Sequence, residues 1–201
     1  MSTSGHTPPP PRPDGYHHGN LRSALVEAGI ALLEQGDSAD FSLRQAAKAV
    51  GVTVNASYRH FASKEDLMSA IAAEGFRRFS LALLKGADSG TNAKARLLGS
   101  GRAYVHFARQ NPALFRLMFS RFSAAEKGAE LSDAAGLAYH ALQSAVVALL
   151  NKDPESAEVT LTCVKFWSLA HGLSSLILEQ QLDLLLVDID ASIDDILMAW
   201  L

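Results

Sequence analysis

Side chains that can bind phosphate groups and base edges are concentrated in one short stretch of the sequence. Tyr58, Arg59 and His60 are consecutive, Asn55 precedes them, and Lys64 follows. Arginine and lysine pair with phosphate oxygens, and an asparagine amide can make two hydrogen bonds to adenine. The chain offers no paired nucleophile and base, no metal-ligand cluster and no glycine-rich phosphate loop. These residues therefore indicate nucleic-acid recognition rather than catalysis.

Two short helices joined by a tight turn would position these side chains. Ser42 can cap a helix that ends at Gly51, and Thr53 can cap the next helix. Ala47, four residues before Gly51, is small where the two helices must approach each other. This spacing predicts a helix-turn-helix, whose second helix enters the major groove of DNA. The residues expected at or near the base edges are Val54, Asn55, Ala56 and Arg59.

The residues that follow the second helix are expected to contact the phosphate backbone. Tyr58 and His60 carry hydrogen-bond donors to the helix end, and Lys64 lies in the first turn of a helix capped by Ser63. A cation there is unfavourable unless an anion lies outside. Phe61 is expected to anchor the corner beneath them. The helix spacing by itself also occurs in helical proteins that never bind DNA.

Composition and length describe a globular chain without disulfide bonds. The chain has 201 residues, 48% of them hydrophobic and 19% charged, and a formal net charge of −3. Residues 1–64 carry six Lys and Arg against five acids, a modest asymmetry. Cys163 is expected to be a buried small residue rather than a redox sensor. Because no signal-peptide core or long uncharged apolar run is seen, we expect a cytoplasmic protein that does not span a membrane.

Helical periodicity runs through nearly the whole chain, which predicts an all-α fold. We expect a disordered proline-rich tail at 1–15, a three-helix DNA-binding domain at 16–62 and a larger helical domain at 63–201. A connecting helix should run from Ser63 to about Lys85, with Gly86 opening a loop. His17 and His18 could suggest a metal pair, but without a third ligand nearby they favour a solvated lead-in to the first helix.

Residues 41–71, "FSLRQAAKAVGVTVNASYRHFASKEDLMSAI", resemble the DNA-binding domain of the TetR family of bacterial transcriptional repressors. The Tyr-x-His-Phe run at 58–61 and the Ser-Lys-Glu run at 63–65 are intact, whereas Ser57 stands where the family often has an aliphatic residue. The lead-in "GYHHGNLRSALVEAGIALL" and the Trp-x-x-x-His-Gly signature at 167–172 resemble one branch. The C-terminal region of that branch is named for the signature.

The resemblance implies a ligand-responsive repressor that needs no cofactor and no metal. Family members bind palindromic double-stranded DNA operators as two-fold dimers and dissociate when a small molecule enters the C-terminal domain. A transcriptional activator of the same fold and an all-α enzyme with an incidental helix-turn-helix are the alternatives. Ser42 and Arg44 would contact phosphate and a base edge, and Thr53, Asn55, Tyr58, His60 and Lys64 would complete the footprint.

Aromatic and methionine side chains in the second domain are candidates for the wall of an effector cavity. They would suit a largely apolar small molecule, although such residues at helical spacing usually pack a core. The candidates are Tyr104, Phe107, Phe115, Met118, Phe119, Tyr139, Trp167 and His171.

The last two predicted helices, at about 154–200, carry more apolar surface than one core needs, so we expect a homodimer through them. Gly172 costs ~1 kcal/mol relative to alanine inside a helix. It therefore indicates the close approach of another backbone, either from a neighbouring helix or from the dimer partner. The connecting helix is expected to be the only link between the DNA-binding head and the rest of the chain.

Overall fold

The computed structural model describes residues 21–36, 41–120, 128–182 and 188–199. Within these ranges the chain is all-α, as the sequence predicts, and no strand occurs. The expected tail at 1–15 and the pair His17 and His18 lie outside the described residues. The helices are α1 (Leu21–Gln35), α2 (Leu43–Val50), α3 (Val54–Tyr58), α4 (Lys64–Asp88), α5 (Ala93–Gln110), α6 (Pro112–Met118), α7 (Ala129–Leu150), α8 (Ala157–Leu178) and α9 (Ile189–Met198).

Helix α4 is the central element of the fold. It packs against α1, α5, α6 and α7. One cluster of buried side chains accordingly continues from Leu25 in α1, past Ile71 in α4, to Ala170 in α8. The predicted domain boundary at 62/63 falls just before α4, and the core is shared across it. The division into two domains stays a prediction.

Helix α4 continues past the position where the sequence predicted a loop. Gly86 lies inside the helix, which ends at Asp88, so the predicted end near Lys85 is wrong. The reason is a close contact with Gly99 of α5, where the two helix backbones cross. A Cβ atom placed on Gly99 would lie 2.3 Å from the carbonyl oxygen of Gly86. Both glycines are therefore needed for close helix packing rather than for a turn.

Gly99→Ala is expected to destabilise the protein by about 2–3 kcal/mol, because the added methyl group must push two backbones apart. Gly136 in α7 provides the matched control, since a Cβ there would meet nothing within 4 Å. Gly136→Ala should stabilise the fold by up to ~1 kcal/mol through helix propensity. Chemical denaturation measures both changes. Equal effects of the two substitutions would contradict the close-packing explanation.

Helices α7 and α8 are both long and apolar enough to cross a membrane by length and composition. Their mean hydropathies are 1.2 and 1.3, and about a third of each stretch is buried (33%). In the structure both helices pack against α5. Several apolar side chains of α8 stay exposed, among them Leu161, Val164 and Leu176. The expectation that the chain does not span a membrane stays a prediction.

Candidate DNA-binding surface and effector cavity

Three local interactions build the turn between α2 and α3. Ser42 Oγ accepts the N–H of Gln45 at 3.3 Å and starts α2. Gly51 ends α2 in the left-handed region, with φ 75° and ψ 26°, where a side chain would be strained. Thr53 Oγ1 accepts the N–H of Ala56 at 3.3 Å and starts α3. The predicted helix-turn-helix is therefore confirmed.

Ser57, the residue that departs from the TetR pattern, is fully buried on the inner face of α3. Its hydroxyl donates to the carbonyl oxygen of Val54 at 2.7 Å. A buried polar group costs little when it is hydrogen-bonded. The serine thus fits this position without disturbing the helix.

The residues predicted to contact DNA are all accessible in the structure. Phe61 is buried beneath them, with the Arg22 guanidinium 5.2 Å from its ring centroid. The Lys64 ammonium lies 6.0 Å from the Phe41 ring centroid, at the start of α4. The buried Phe41 and Phe61 rings support the predicted DNA-binding surface from below. Arg44, Thr53, Asn55, Tyr58 and Arg59 are exposed, and Ser42, Val54, Ala56, His60 and Lys64 are half-buried.

A cavity of about 210 Å³ lies between α4, α5, α7, α8 and the end of α6. Its walls are mainly apolar, and five of the eight residues predicted to line such a cavity do so: Tyr104, Met118, Phe119, Tyr139 and Trp167. Sequence reasoning missed its α4 wall, although Phe76, Phe79 and Leu83 recur there at helical spacing. The other lining residues are Ser100, Ser120, Ala135, Ala138, Leu142 and Phe166.

The other three predicted residues are not on the cavity wall. Phe107 is buried, with its ring centroid 5.1 Å from that of Phe79. Phe115 is buried as well, 4.8 Å from the ring of Phe119. His171 Nδ1 lies 2.9 Å from the Tyr104 hydroxyl oxygen. These side chains support the residues that line the cavity.

The Tyr104 hydroxyl is held by two residues of the Trp-x-x-x-His-Gly signature, one turn apart on α8. Burial lowers the pKa of His171, which favours the neutral imidazole, and its Nδ1 shares a hydrogen bond with the Tyr104 hydroxyl. Burial raises the pKa of Tyr104, and a hydrogen bond with Trp167 acts in the opposite direction. Tyr104 therefore stays protonated. Trp167 and His171 fix the orientation of its ring beside the cavity.

The cavity region is joined to the DNA-binding head through α1 as well as through α4. The Glu34 carboxylate at the end of α1 accepts the N–H of Leu114 at 2.9 Å and of Ala113 at 3.2 Å. It thereby caps α6, whose N-cap position is occupied by Asn111. Asn111 makes no capping hydrogen bond with its side chain. Its amide donates to the Phe107 carbonyl instead.

An ion-pair network makes a second connection from α1. Glu130, near the start of α7, pairs with Arg22 of α1 at 2.5 Å and with Arg77 of α4 at 2.7 Å. Burial alone would raise the pKa of Glu130, but the two arginines lower it below its usual value. Glu27 of α1 also pairs with Arg78 of α4. The expectation that α4 is the only link is therefore wrong.

The described part of the chain contains no group of three or more His, Cys, Asp or Glu residues arranged to hold a metal ion. Cys163 is buried. Burial raises the pKa of its thiol, although a hydrogen bond with Tyr139 acts to lower it.

Two family comparisons cover most of the chain. Residues 25–71 match the N-terminal domain of bacterial regulatory proteins of the tetR family. Residues 97–199 match the tetracyclin repressor-like C-terminal domain. None of the curated proteins matches the chain. The finer assignment to the branch with the Trp-His-Gly signature stays a prediction.

Solved structures share the fold over nearly the whole chain. A protein with unknown function from Rhodococcus sp. RHA1 is 26% identical, with a TM-score of 0.75, and the match covers 92% of this chain and 93% of that one. A TetR transcriptional regulator from the same organism is 20% identical, with a TM-score of 0.64 over 91% and 95% of the chains. The fatty acid degradation regulator FadR from Bacillus halodurans is 14% identical, with a TM-score of 0.66 over 92% and 95%.

The C-terminal match alone spans more than half of the chain, and the N-terminal match covers the helix-turn-helix built by α2 and α3. Proteins of this kind are DNA-binding regulators and not enzymes. The alternative of an all-α enzyme is therefore set aside. The chain belongs to the TetR family of bacterial transcriptional regulators.

Proposed function

We propose that the protein is a repressor that binds a palindromic operator as a homodimer and leaves it when a small, largely apolar molecule enters the cavity. The observation that carries this proposal is the course of α4. Its first residue is Lys64, on the accessible surface, and its later residues Phe76, Phe79 and Leu83 form one wall of the cavity. A change in the cavity wall and a change in the DNA-binding surface therefore involve the same rigid element.

The exposed side of α3 supports base readout in the major groove. Asn55 is exposed and carries the amide that suits adenine, while Val54 and Ala56 are half-buried and carry methyl groups that can touch thymine. Arg59 is exposed beside them and carries a guanidinium that suits guanine. Around this group, Tyr58 supplies a hydrogen-bond donor and Lys64 a positive charge for phosphate oxygens. We assign base contacts to the first group and backbone contacts to the second.

An unpartnered stripe along α8 supports the homodimer. Leu161, Val164, Ser168, Gly172 and Leu176 follow one another at spacings of three or four, and none of them is buried. A Cβ on Gly172 would meet nothing within 4 Å. No neighbouring helix of the described protomer therefore explains this glycine, and its place in the exposed stripe supports the close approach of a partner's backbone there.

An apolar groove continues the stripe towards α9. It is lined mostly by aliphatic side chains from both helices, including Leu169, Leu173, Ile189 and Ile196. Exposed apolar patches of this kind mark interaction sites on soluble proteins. A second copy of the chain, related by a two-fold axis, would cover the groove and set the spacing of the two DNA-binding heads. We assign the interface to α8 and α9.

Lys64→Ala is expected to weaken binding to every duplex alike, because phosphate contacts carry no base identity. If Lys64 neutralises one phosphate, the substitution should make the slope of log K against log salt shallower by ~0.9. Lys85→Ala, at the exposed far end of α4, is the control and should change neither quantity. A change in operator preference at unchanged general affinity would contradict the role of Lys64.

A transcriptional reporter separates the repressor from the alternative of an activator. Deleting the gene should raise transcription from a promoter that carries the operator, and Lys64→Ala should restore repression less completely than the unaltered protein. A fall in transcription after deletion would show an activator and overturn the proposed direction of regulation.

A further inference from the structure

Ser100 of α5 is a buried polar side chain without a hydrogen-bond partner in the described part of the chain. It is only 2% exposed, and it lines the cavity. The buried serines Ser57, Ser80 and Ser174 each donate to a backbone carbonyl oxygen. A buried hydroxyl without a partner destabilises the folded state. Its position on the cavity wall indicates that the partner is a molecule that enters the cavity.

Ser100 is one end of a polar strip in a mainly apolar cavity, whose lining also includes Ser120 and Tyr139. Residues four apart lie on the same face of a helix, so Ser100 and Tyr104 are one turn apart on the cavity side of α5. The Tyr104 hydroxyl already interacts with His171 and Trp167. The Ser100 hydroxyl, in contrast, has its hydrogen-bonding capacity unused among the described residues.

Among the described residues, the cavity lining provides no counter-charge for an ionised ligand. None of its described lining residues is an Asp, Glu, Lys or Arg, and its histidine neighbour, His171, lies behind Tyr104. Burying a charge without a partner is strongly unfavourable. An acid or an amine that is ionised at pH 7 is therefore a poor fit.

The volume limits the size of the ligand. An engineered apolar cavity of about 150 Å³ takes up benzene, and this cavity measures about 210 Å³. It has room for one ring with a substituent or for two fused rings. Aromatic side chains such as Phe76, Phe119 and Trp167 line it and can pack against a flat ring.

We infer that the effector is an uncharged molecule of one or two rings whose single hydroxyl or carbonyl oxygen hydrogen-bonds the Ser100 side chain. This inference rests on the proposed function, because it names the class of molecule that the same cavity takes. It goes beyond that proposal because it names the Ser100 hydroxyl as the group that binds the polar group of the ligand.

The test is equilibrium dialysis of the free protein at pH 7 against three probes of one shape. These are 2-naphthol, which is neutral with a hydroxyl, 2-naphthoate, which is charged, and naphthalene, which has no polar group. 2-Naphthol should bind most tightly, naphthalene more weakly, and 2-naphthoate should not bind measurably. Equal affinity for 2-naphthol and 2-naphthoate, tighter binding of naphthalene, or no binding of any probe would overturn the inference.

Ser100→Ala tests whether the Ser100 hydroxyl is the hydrogen-bond partner of the ligand oxygen. It should weaken 2-naphthol binding by about two- to tenfold, the range for one neutral hydrogen bond, and leave naphthalene binding unchanged. Ser80→Ala is the matched control, because Ser80 is also buried but its hydroxyl is bound to the Arg77 carbonyl. Ser80→Ala should change neither affinity. An unchanged 2-naphthol affinity in Ser100→Ala, or an equal loss for both probes, would overturn the role of Ser100.

Operator binding in the presence of each probe distinguishes this inference from the proposed function. If 2-naphthol binds through Ser100 and the operator affinity does not change, the ligand class holds and the proposal of a ligand-released repressor fails. If all three probes release the operator equally well, the protein responds to ligands and the inferred class is wrong.

Discussion

Replacing Leu176 by aspartate is expected to convert the homodimer into a monomer and to weaken operator binding by about 10²–10⁴-fold. Leu176 is 44% exposed in the protomer, so the change should not disturb its folding. In the proposed dimer the same side chain is covered, and the two-fold axis buries one new carboxylate from each copy without a partner. Losing the dimer removes the advantage of binding two half-sites at once, which accounts for the expected range.

Leu137→Asp provides the matched control for this prediction. Leu137 is also an exposed leucine, at 54%, but it lies on α7, away from the α8 and α9 groove. Sedimentation at micromolar concentration should show a dimer for the unaltered protein and for Leu137→Asp, and a monomer for Leu176→Asp. All three should bind a single half-site with the same weak affinity. A Leu176→Asp protein that remains dimeric would place the interface elsewhere.

The helix-turn-helix could be predicted from the sequence because it is encoded locally. Each helix start depends on one hydroxyl that accepts an N–H three residues later, as Ser42, Thr53 and Ser63 do. The turn depends on one residue with a positive φ, and Gly51 is the residue type that adopts it most readily. Nothing distant is needed to specify these features, so short patterns are enough to find them.

The cavity was only partly predictable, because its wall depends on which faces of distant helices meet. Tyr104 and Phe107 lie three residues apart on α5, yet only Tyr104 reaches the cavity, and Phe107 packs on Phe79. Gly86 was mistaken for a loop residue for the same reason. Its role is a contact with Gly99, thirteen positions further along, and local propensity cannot show such a contact.

The links through α1 were missed because each depends on a pair far apart in the sequence. Glu34 caps the N-terminus of α6, and Arg22 reaches Glu130 at the start of α7. An exposed glutamate near the end of a helix gives no local signal of such a role. Charged side chains on the solvent side of a helix usually interact with water alone, and surface pairs contribute little to stability.

Softening α4 is expected to reduce the effect of the effector on operator affinity. A ligand that binds better when α4 is tilted favours the wrong spacing of the two recognition helices, which must lie ~34 Å apart to read successive major grooves. A complete switch from bound to free requires ~10⁴-fold differential affinity, ~5.5 kcal/mol. By thermodynamic reciprocity, the operator must weaken ligand binding by the same factor.

The structure indicates Ser69 as the position for this test. Ala72 and Ala73 of α4 are fully buried, so glycine there would also remove core methyl groups. Ser69 is half-buried and lies between Lys64 and Phe76 along the helix. Ser69→Gly costs ~1 kcal/mol of helix propensity relative to its control, Ser69→Ala, which keeps the helix stiff. The operator Kd is measured against 2-naphthol concentration in both variants.

Glu34→Ala tests the competing route through α1, because it removes the carboxylate that caps α6. If α4 transmits the signal, Ser69→Gly should lower the ligand-induced change in operator Kd at least tenfold relative to Ser69→Ala, and Glu34→Ala should leave it unchanged. If the α1 cap transmits the signal, Glu34→Ala should lower the ligand-induced change in operator Kd at least tenfold, and Ser69→Gly should leave it unchanged. If Ser69→Gly keeps the fold and the full ligand-induced change in operator Kd, α4 does not transmit the signal, because the helix would then be softened without any loss of coupling.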